Sequence, residues 1–445
     1  MSAGYVDEPA RRTPVHAETE VLVVGGGAAG AAAAIAAARA GAATMLVERY
    51  GALGGLATGG LIILLLTLDD GRGRQVVRGL CQEVTDRVHA RGAAFFPPAG
   101  EWGSDDPALV EQYRRWGLVW GSGPHRVRYS VAYDPEEFRL ALNEMVTGAG
   151  VRLLLHAWGC EPIFAETGAA PALPPARRDG AASRRIAAVA FQGKRGRFAI
   201  RARVVVDATG DGDLFAAAGC AHDSEKVLPW LWFRMGGVAD VERALDAGGW
   251  FFRTVGDGQV LFPWGATEKI GRRIDATDPE DLTFAELECR RMVMAEIDRL
   301  RADVPEFRRA HVCDVATQLG ITESRRLHGA YVLRRDDMDR CFDDTIAVTG
   351  HWTKYGVTYA IPYRTLRTTE VENLLVAGRC ISVDHRVHHA TKEIPPCMAT
   401  GQAAGTAAAL AVRRGIAPAE LPIAELQERL RNAGAIIDLP VSGSV

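Results

Sequence analysis

The chain has 445 residues, 48% of them hydrophobic and 24% charged, which excludes a disordered or fibrous polymer and exceeds what one hydrophobic core of about 250–300 residues holds. Lys and Arg number 52 against 55 Asp and Glu, a formal charge of −3, so the balance gives no electrostatic case for nucleic acid as a partner. The eight cysteines lie apart with no C-x-x-C pair, which speaks against a zinc site or disulfide framework and favours a reducing, cytoplasmic setting with no bound metal.

Residues 1–18 carry charges and two prolines without an apolar stretch, so they read as a flexible leader rather than a secretory signal. The apolar run Glu20–Val24 then predicts a strand, Gly25-Gly-Gly-Ala-Ala-Gly30 a turn, the Ala-rich stretch to Gly41 a helix, and Ala43–Val47 a second strand. A Gly-rich loop follows over Tyr50–Gly60. The apolar run Leu56–Leu68 covers 13 residues and contains Gly59 and Gly60, short of the roughly 20 that span a bilayer, so it predicts a buried segment and no membrane span.

Asp134-Pro-Glu-Glu opens a helix with a capping side chain and an acidic first turn, running to about Gly148. Strands are predicted at Val151–Ala157, Ile186–Gln192 and Phe198–Arg203, the last leading into Val204-Val-Val and Asp207-Ala-Thr-Gly-Asp-Gly-Asp213. The aperiodic stretch Glu166–Arg184, rich in Ala, Pro, Gly and Arg, reads as an exposed loop. Beyond Leu228 the pattern turns to aromatic strand-like runs, Trp230–Arg234 and Val260–Trp264, with one long helix from Phe284 to about Ala302. A buried strand at Asn373–Gly378 and a small-residue helix at Ala399–Arg414 then return to the opening pattern. The expected organisation is a leader (1–18), a nucleotide-binding domain in two parts (19–227 and 363–445) and an intervening substrate-facing domain (228–362).

In the turn, Gly25 serves the tight strand-to-helix bend, Gly27 lets the backbone approach a pyrophosphate, and Gly30 permits close helix–strand packing. The amides of Ala28 and Ala29 open the helix, where its partial positive charge holds phosphates without a side-chain cation. Glu48 ends the second strand, 23 residues after Gly25 (48 − 25), and suits the hydroxyls of an adenosine ribose.

Further motifs are Leu53-Gly-Gly-Leu-Ala-Thr58, Val206-Asp-Ala-Thr-Gly-Asp-Gly-Asp213, Gly320-Ile-Thr-Glu-Ser-Arg-Arg-Leu-His-Gly329, Ile361-Pro-Tyr-Arg364, Asn373–Ser382 and Cys397–Gly405. In this order they resemble the FAD-dependent oxidoreductase family related to the fumarate reductase and glutathione reductase superfamily. The resemblance implies an α/β fold: a Rossmann-like FAD-binding domain of the GR2 type, with a β-hairpin or three-stranded insert, plus a smaller α+β cap domain for the substrate. It implies FAD as cofactor, with Gly54, Gly55, Leu56 and Thr58 along the flavin and pyrophosphate and Arg49 beside Glu48. Ala157 or Trp158 would meet adenine, and Ala208, Thr209, Gly210 and Asp213 would back the adenosine half. Gly378 and Arg379 would approach the ribityl chain, while a helix starting near Met398 and Ala399 would aim its N-terminus at the flavin N1 and O2 edge.

With the flavin supplying the redox step, the protein must place a substrate C–H and assist proton loss. Asp384–His389 concentrates three histidines, of which His388 and His385 are the first candidates for a base; His351 is a third, near Tyr355 and Tyr359. Arg325, next to Arg326, could clamp a substrate carboxylate, and Lys392 stands where the family usually carries an arginine. Each has a plainer alternative in packing or salt-bridging. Cys397 sits at a helix start, where a thiolate is stabilised, but packing is the favoured reading. Covalent attachment of the flavin stays open, as does a homo-oligomer.

The leading expectation is a dehydrogenase or oxidase that takes a hydride from a small organic substrate to flavin N5 and is reoxidised by oxygen, a quinone or an electron carrier. No second G-x-G-x-x-G follows a strand, so no nicotinamide-binding domain is expected. The alternatives are a flavin monooxygenase, although the W-x-W-x-I-P signature of halogenases is missing, and a non-redox binding protein on an FAD scaffold.

Overall fold

The computed structural model describes residues 4, 6–165, 184–265 and 270–439. Its main sheet is built on the opening strand Val15–Val24. That strand pairs in parallel with Thr44–Val47 on one side and with the long strand Gly196–Asp207 on the other. Arg152–Leu154 adds a further parallel strand beyond Thr44–Val47. The distal edge of Gly196–Asp207 is divided: its first half pairs antiparallel with Ile186–Gly193, and its last residues pair in parallel with Leu374–Val376. Trp158–Phe164 closes that side antiparallel to Ile186–Gly193. The parallel strands end at Val24, Val47, Asp207 and Val376, so their carboxyl ends open onto one crevice, the usual ligand position in such sheets.

The opening helix Ala28–Arg39 is almost wholly buried, because Ile394–Arg414 lies against it. Glycines at i and i+4 allow this closeness. A Cβ on Gly401 would fall 2.1 Å from the Ala29 carbonyl oxygen, and one on Gly405 2.0 Å from that of Ala33. The two helices therefore touch backbone to backbone, and the C-terminal part of the chain fixes the start of the opening helix.

A second, four-stranded antiparallel sheet runs in the order Phe252–Arg253, Val260–Phe262, Phe233–Gly236, His311–Val315. Pro279–Asp303, which touches the short strand Ile274–Asp275 and the turn Pro305–Phe307, buries one stripe, Ala285, Cys289, Val293, Ile297 and Leu300, at helical spacing. Its cap is Asp278, whose carboxylate accepts the Glu280 amide at 2.9 Å; Asp134 caps Pro135–Gly148 in the same way, accepting from Glu136 and Glu137. Asp134→Ala is expected to lower unfolding free energy by about 1 kcal/mol in urea titration, the ordinary worth of such a cap; an unchanged midpoint would show that the helix start is held by packing alone.

Several boundaries differ from expectation. The first strand begins within the assigned leader, at Val15, because Val15–Thr19 extends the parallel ladder along Ala199–Ala202. Trp158–Phe164 is a strand that the pattern did not indicate; it lies at the sheet edge, where Pro162 has no ladder bond to lose. The long helix starts at Pro279 rather than Phe284, and the C-terminal helix at Ile394 rather than Met398. The expected loop Glu166–Arg184 lies outside the described residues up to 183. Among the described residues no helix is long and apolar enough to cross a membrane.

Candidate cofactor and redox site

The crevice at the strand ends is a cavity lined from both parts of the chain. Its floor is the glycine turn. Gly25 sits at φ +100°, where a side chain is strained and a Cβ would lie 2.3 Å from the Ala208 carbonyl oxygen. A Cβ on Gly30 would meet the Gly25 carbonyl oxygen, so this residue serves packing beneath the cavity. Gly27 is different: a Cβ there meets no protein atom within 4 Å and would project into the space between the strands. The amides of the first turn after it have no preceding carbonyl to pair with. A cradle that only an added side chain would fill, faced by free amides, fits a diphosphate.

At one end the cavity is lined by Glu48, Arg49, Tyr50, Trp158 and Thr209. Glu48 is buried, and its two oxygens accept the amides of Gly26 (2.5 Å) and Tyr50 (2.8 Å), which ties the glycine turn to the end of the second strand. Each oxygen keeps a second lone pair for a ribose hydroxyl. The Arg49 guanidinium lies 4.9 Å from the Tyr50 ring and 5.0 Å from that of Trp158, which is left 53% exposed. Ala157 and Asp213 line a small adjoining cleft with Arg49, Trp158 and Thr209. Burial, with Asp211 and Asp207 nearby, pushes Asp213 up to about 6. Asp207 itself is wholly buried and gathers the amides of Thr209, Leu214 and Phe215, so it shapes this turn.

Toward the other end the lining passes to Gly54, Gly55, Leu56 and Ala57, then Gly378, Lys392, Ile394 and Cys397. Thr58 does not line it; its hydroxyl donates to the Leu53 carbonyl at 2.7 Å and closes the loop from behind. Met398 and Ala399 do not line it either, because the helix begins a turn earlier. Met398 is fully buried, and Ile394 and Cys397 take the cavity positions. Pro395 and Pro396 fill the first turn, where no N–H is needed. This leaves Ile394 as the donor of that turn, since the Cys397 amide is bonded to the Glu393 carbonyl. Burial pushes the Cys397 thiol up to about 12, which removes the thiolate and supports packing.

Of the five residues expected to carry chemistry, Lys392 lines the cavity, its ammonium 2.7 Å from Glu393 and 5.6 Å from the Trp352 ring centre. The other four point elsewhere. His388 is 1% exposed, and its Nε2 lies 2.9 Å from the Arg379 carbonyl oxygen, to which it donates. Burial, then the charges of Lys392, Arg326 and Arg379, holds it well below the usual imidazole range. His385 is exposed and pairs with Glu323 at 3.0 Å. Arg325 reaches Asp213 (3.2 Å) and the Asp211 carbonyl (3.3 Å), beside the small cleft lined by Arg49, Trp158 and Thr209. Arg379 lines the cavity, paired with Asp211 at 2.6 Å. Glu225, Glu323 and His385 come close enough to hold an ion, but the buried Arg326 guanidinium lies on Glu323 and 3.7 Å from Glu225 and supplies the positive charge there.

His351 is buried, its Nδ1 facing the Thr353 hydroxyl at 3.2 Å, and burial with Lys354, His389 and Arg128 near it takes it to about 3. The folded imidazole thus stays neutral while an unfolded one protonates near 6.5. Stability from this site is complete above pH 6.5 and is lost as pH falls toward 3, at about 1.4 kcal/mol per unit. Between pH 7 and pH 5 the wild type is expected to lose about 2 kcal/mol more than His351→Gln in urea unfolding. Equal losses would mean that the folded imidazole protonates freely.

Sequence reasoning missed the lining given by the middle of the chain: Ala276, Leu282 and Glu286 near the start of the long helix, then Gln318, Leu319 and Ile321. The Thr317 and Gln318 amides donate to the Gly59 carbonyl, which draws this segment onto the Gly-rich loop. The signal that could have found them is the stretch just before Gly320-Ile-Thr.

Among solved structures the chain is similar to a geranylgeranyl bacteriochlorophyll reductase-like protein from Thermoplasma acidophilum, at 13% identity and TM-score 0.47, over 94% of this chain and 84% of that one. It is also similar to p-nitrophenol 4-monooxygenase from Pseudomonas putida (12%, TM-score 0.46, 94% and 84%) and to L-proline dehydrogenase from P. horikoshii (13%, TM-score 0.43, 95% and 100%). At these scores neither a shared fold nor a shared reaction follows. No curated protein matches the chain. The decisive likeness is to the family described as FAD dependent oxidoreductase. It runs over residues 20–430 and so takes in both halves of the cavity; the chain belongs to that family and is an enzyme that binds FAD.

Proposed function

We propose that this enzyme is a dehydrogenase or oxidase that removes a hydride from a small organic substrate and passes electrons on to oxygen, a quinone or an electron carrier. FAD, when bound, supplies the hydride acceptor. Gly27 and the first amides of the opening helix hold its diphosphate, Glu48 its ribose, and Gly54 to Ala57 with Gly378 its ring system. Leu56, Ala57, Ile394 and Cys397 give that end an apolar lining. Lys392 sets a positive charge there, beside the Ile394 amide, where negative charge grows on reduction.

The observation that carries the reading is the single glycine fingerprint in the sequence. Because no second G-x-G-x-x-G follows a strand-like run in the sequence, we take the substrate itself as the reductant. The test is anaerobic mixing of the oxidised protein with a metabolite panel. Bleaching by an organic substrate alone is the expected result; bleaching that requires NADH or NADPH would replace this reading with a monooxygenase. Lys392→Met is expected to keep its FAD and to be reduced about 100-fold more slowly. Reduction at the wild-type rate would take Lys392 out of the chemistry.

A further inference from the structure

Three segments distant in sequence, residues 67–71, 128–130 and 350–356, meet on the far side of Lys392. The Leu68 amide donates to the Tyr129 carbonyl, the Thr67 hydroxyl to Asp69, the Gly356 amide to the Asp70 carbonyl, and Arg128 Nη1 to the His351 carbonyl at 3.0 Å. Arg128, Asp69 and Ser130 are at most 1% exposed. Yet Arg128 Nε and Nη2, Asp69 Oδ2, Ser130 Oγ and the indole N–H of Trp352 are buried without a hydrogen-bond partner among the described residues. Such gaps are costly: a guanidinium cannot lose its proton, and burial outweighs the attraction between Asp69 and Arg128 and raises the Asp69 carboxyl above its ordinary value, so the pair does not satisfy itself. The Arg128 guanidinium lies 4.0 Å above the Tyr355 ring, which offsets only part of that cost.

His389 stacks on Trp352 at 5.7 Å, and it and His351 are held neutral, which leaves Arg128 and Lys392 as the positive charges of the cluster and Asp69 and Asp70 as its negative ones. Lys392 joins this cluster to the cofactor cavity, since its ammonium lies over Trp352 while its chain lines the cavity. The unmatched groups thus comprise two parallel donors on a guanidinium edge and, nearby, one carboxylate acceptor. Their complement is a carboxylate with a hydrogen-bond donor on the adjacent carbon.

We propose that this cluster is the acid-recognising end of the substrate site: Arg128 binds the carboxylate of a small 2-hydroxy or 2-amino acid through Nε and Nη2, and Asp69 Oδ2 accepts from its hydroxyl or amino group. This rests on the reading that an organic substrate reduces the flavin. It also moves the arginine clamp from Arg325, which is engaged with Asp213, to a residue in a different part of the chain.

The experiment titrates the oxidised holoenzyme, without oxygen, with 2-hydroxy and 2-amino acids and with the primary amide of each. Binding is followed by perturbation of the flavin spectrum and by melting temperature, and turnover by bleaching. At least one acid is expected to bind, its amide at least tenfold more weakly, with Arg128→Lys weakening the acid by about 10- to 100-fold while FAD content is retained. Amides that bind as well as acids, or no acid that binds at millimolar concentration, would overturn the proposal. The comparison of acid with amide in the wild type stands even if Arg128→Lys fails to fold. An acid that binds through Arg128 without bleaching the flavin sinks the hydride reading alone, whereas bleaching only by compounds without a carboxylate sinks this inference alone.

Discussion

Gly27→Val is expected to purify without the yellow colour of the wild type while melting close to the temperature of FAD-free wild-type protein. The backbone at Gly27 is extended, with φ −63° and ψ −177°, so valine is tolerated locally. Its Cβ has no protein atom within 4 Å. The branched methyls would occupy the volume that a diphosphate needs against the helix start, and several charge-assisted amide contacts would be lost together. At about 1.5–3 kcal/mol for each such contact, affinity should fall by about 10³-fold or more. The comparison must be with apoprotein, because a ligand that binds only the folded state raises its melting temperature by mass action. Gly25→Val gives the contrast: its positive φ and the Ala208 carbonyl at 2.3 Å predict lost stability even without FAD. Unchanged flavin content in Gly27→Val would show that the diphosphate is held elsewhere.

The contrast between these glycines explains why the glycine-turn end of the cavity was legible in the sequence and the opposite end was not. Close approach of backbone to diphosphate restricts residue type at each place in the turn, so Gly25, Gly27 and Gly30 announce themselves, as does the acid Glu48 at the end of the second strand. Helix starts are legible on the same ground when a side chain makes the cap. Asp134-Pro135-Glu136 was read correctly; Asp278-Pro279-Glu280 carries the same signature and marks the true start of the long helix. Pro395-Pro396 reads as a break, yet prolines are harmless in a first turn, and so the helix start moved from Met398 to Ile394. Which way a side chain points is harder. His385, His388 and His389 lie on one short helix, where each residue turns about 100° from the last; one faces Glu323, one the Arg379 carbonyl and one Trp352. Arg128 was passed over because a charge between Val127 and Tyr129 resembles the outward side of a strand, while segments 67–71 and 350–356 close over it.

Gly405→Val is expected to lower stability by more than any other single change considered, by about 3 kcal/mol or more, with a clear fall in urea midpoint both with and without FAD. A Cβ at Gly405 would stand 2.0 Å from the Ala33 carbonyl oxygen, and neither partner can yield locally, since both atoms belong to the backbone of helices buried on all sides. The pair of helices must separate, which opens the packing under the glycine turn and, one turn nearer to it, the contact of Gly401 with Ala29. FAD affinity should therefore fall as well, although Gly405 touches no part of the cavity. This distinguishes it from Gly27→Val, in which affinity is lost and stability kept. The C-terminal helix thus acts through position: on the proposed reading it holds the opening helix at the height from which its amides would reach the diphosphate. A Gly405→Val protein with wild-type stability would mean that the two helices do not pack backbone to backbone.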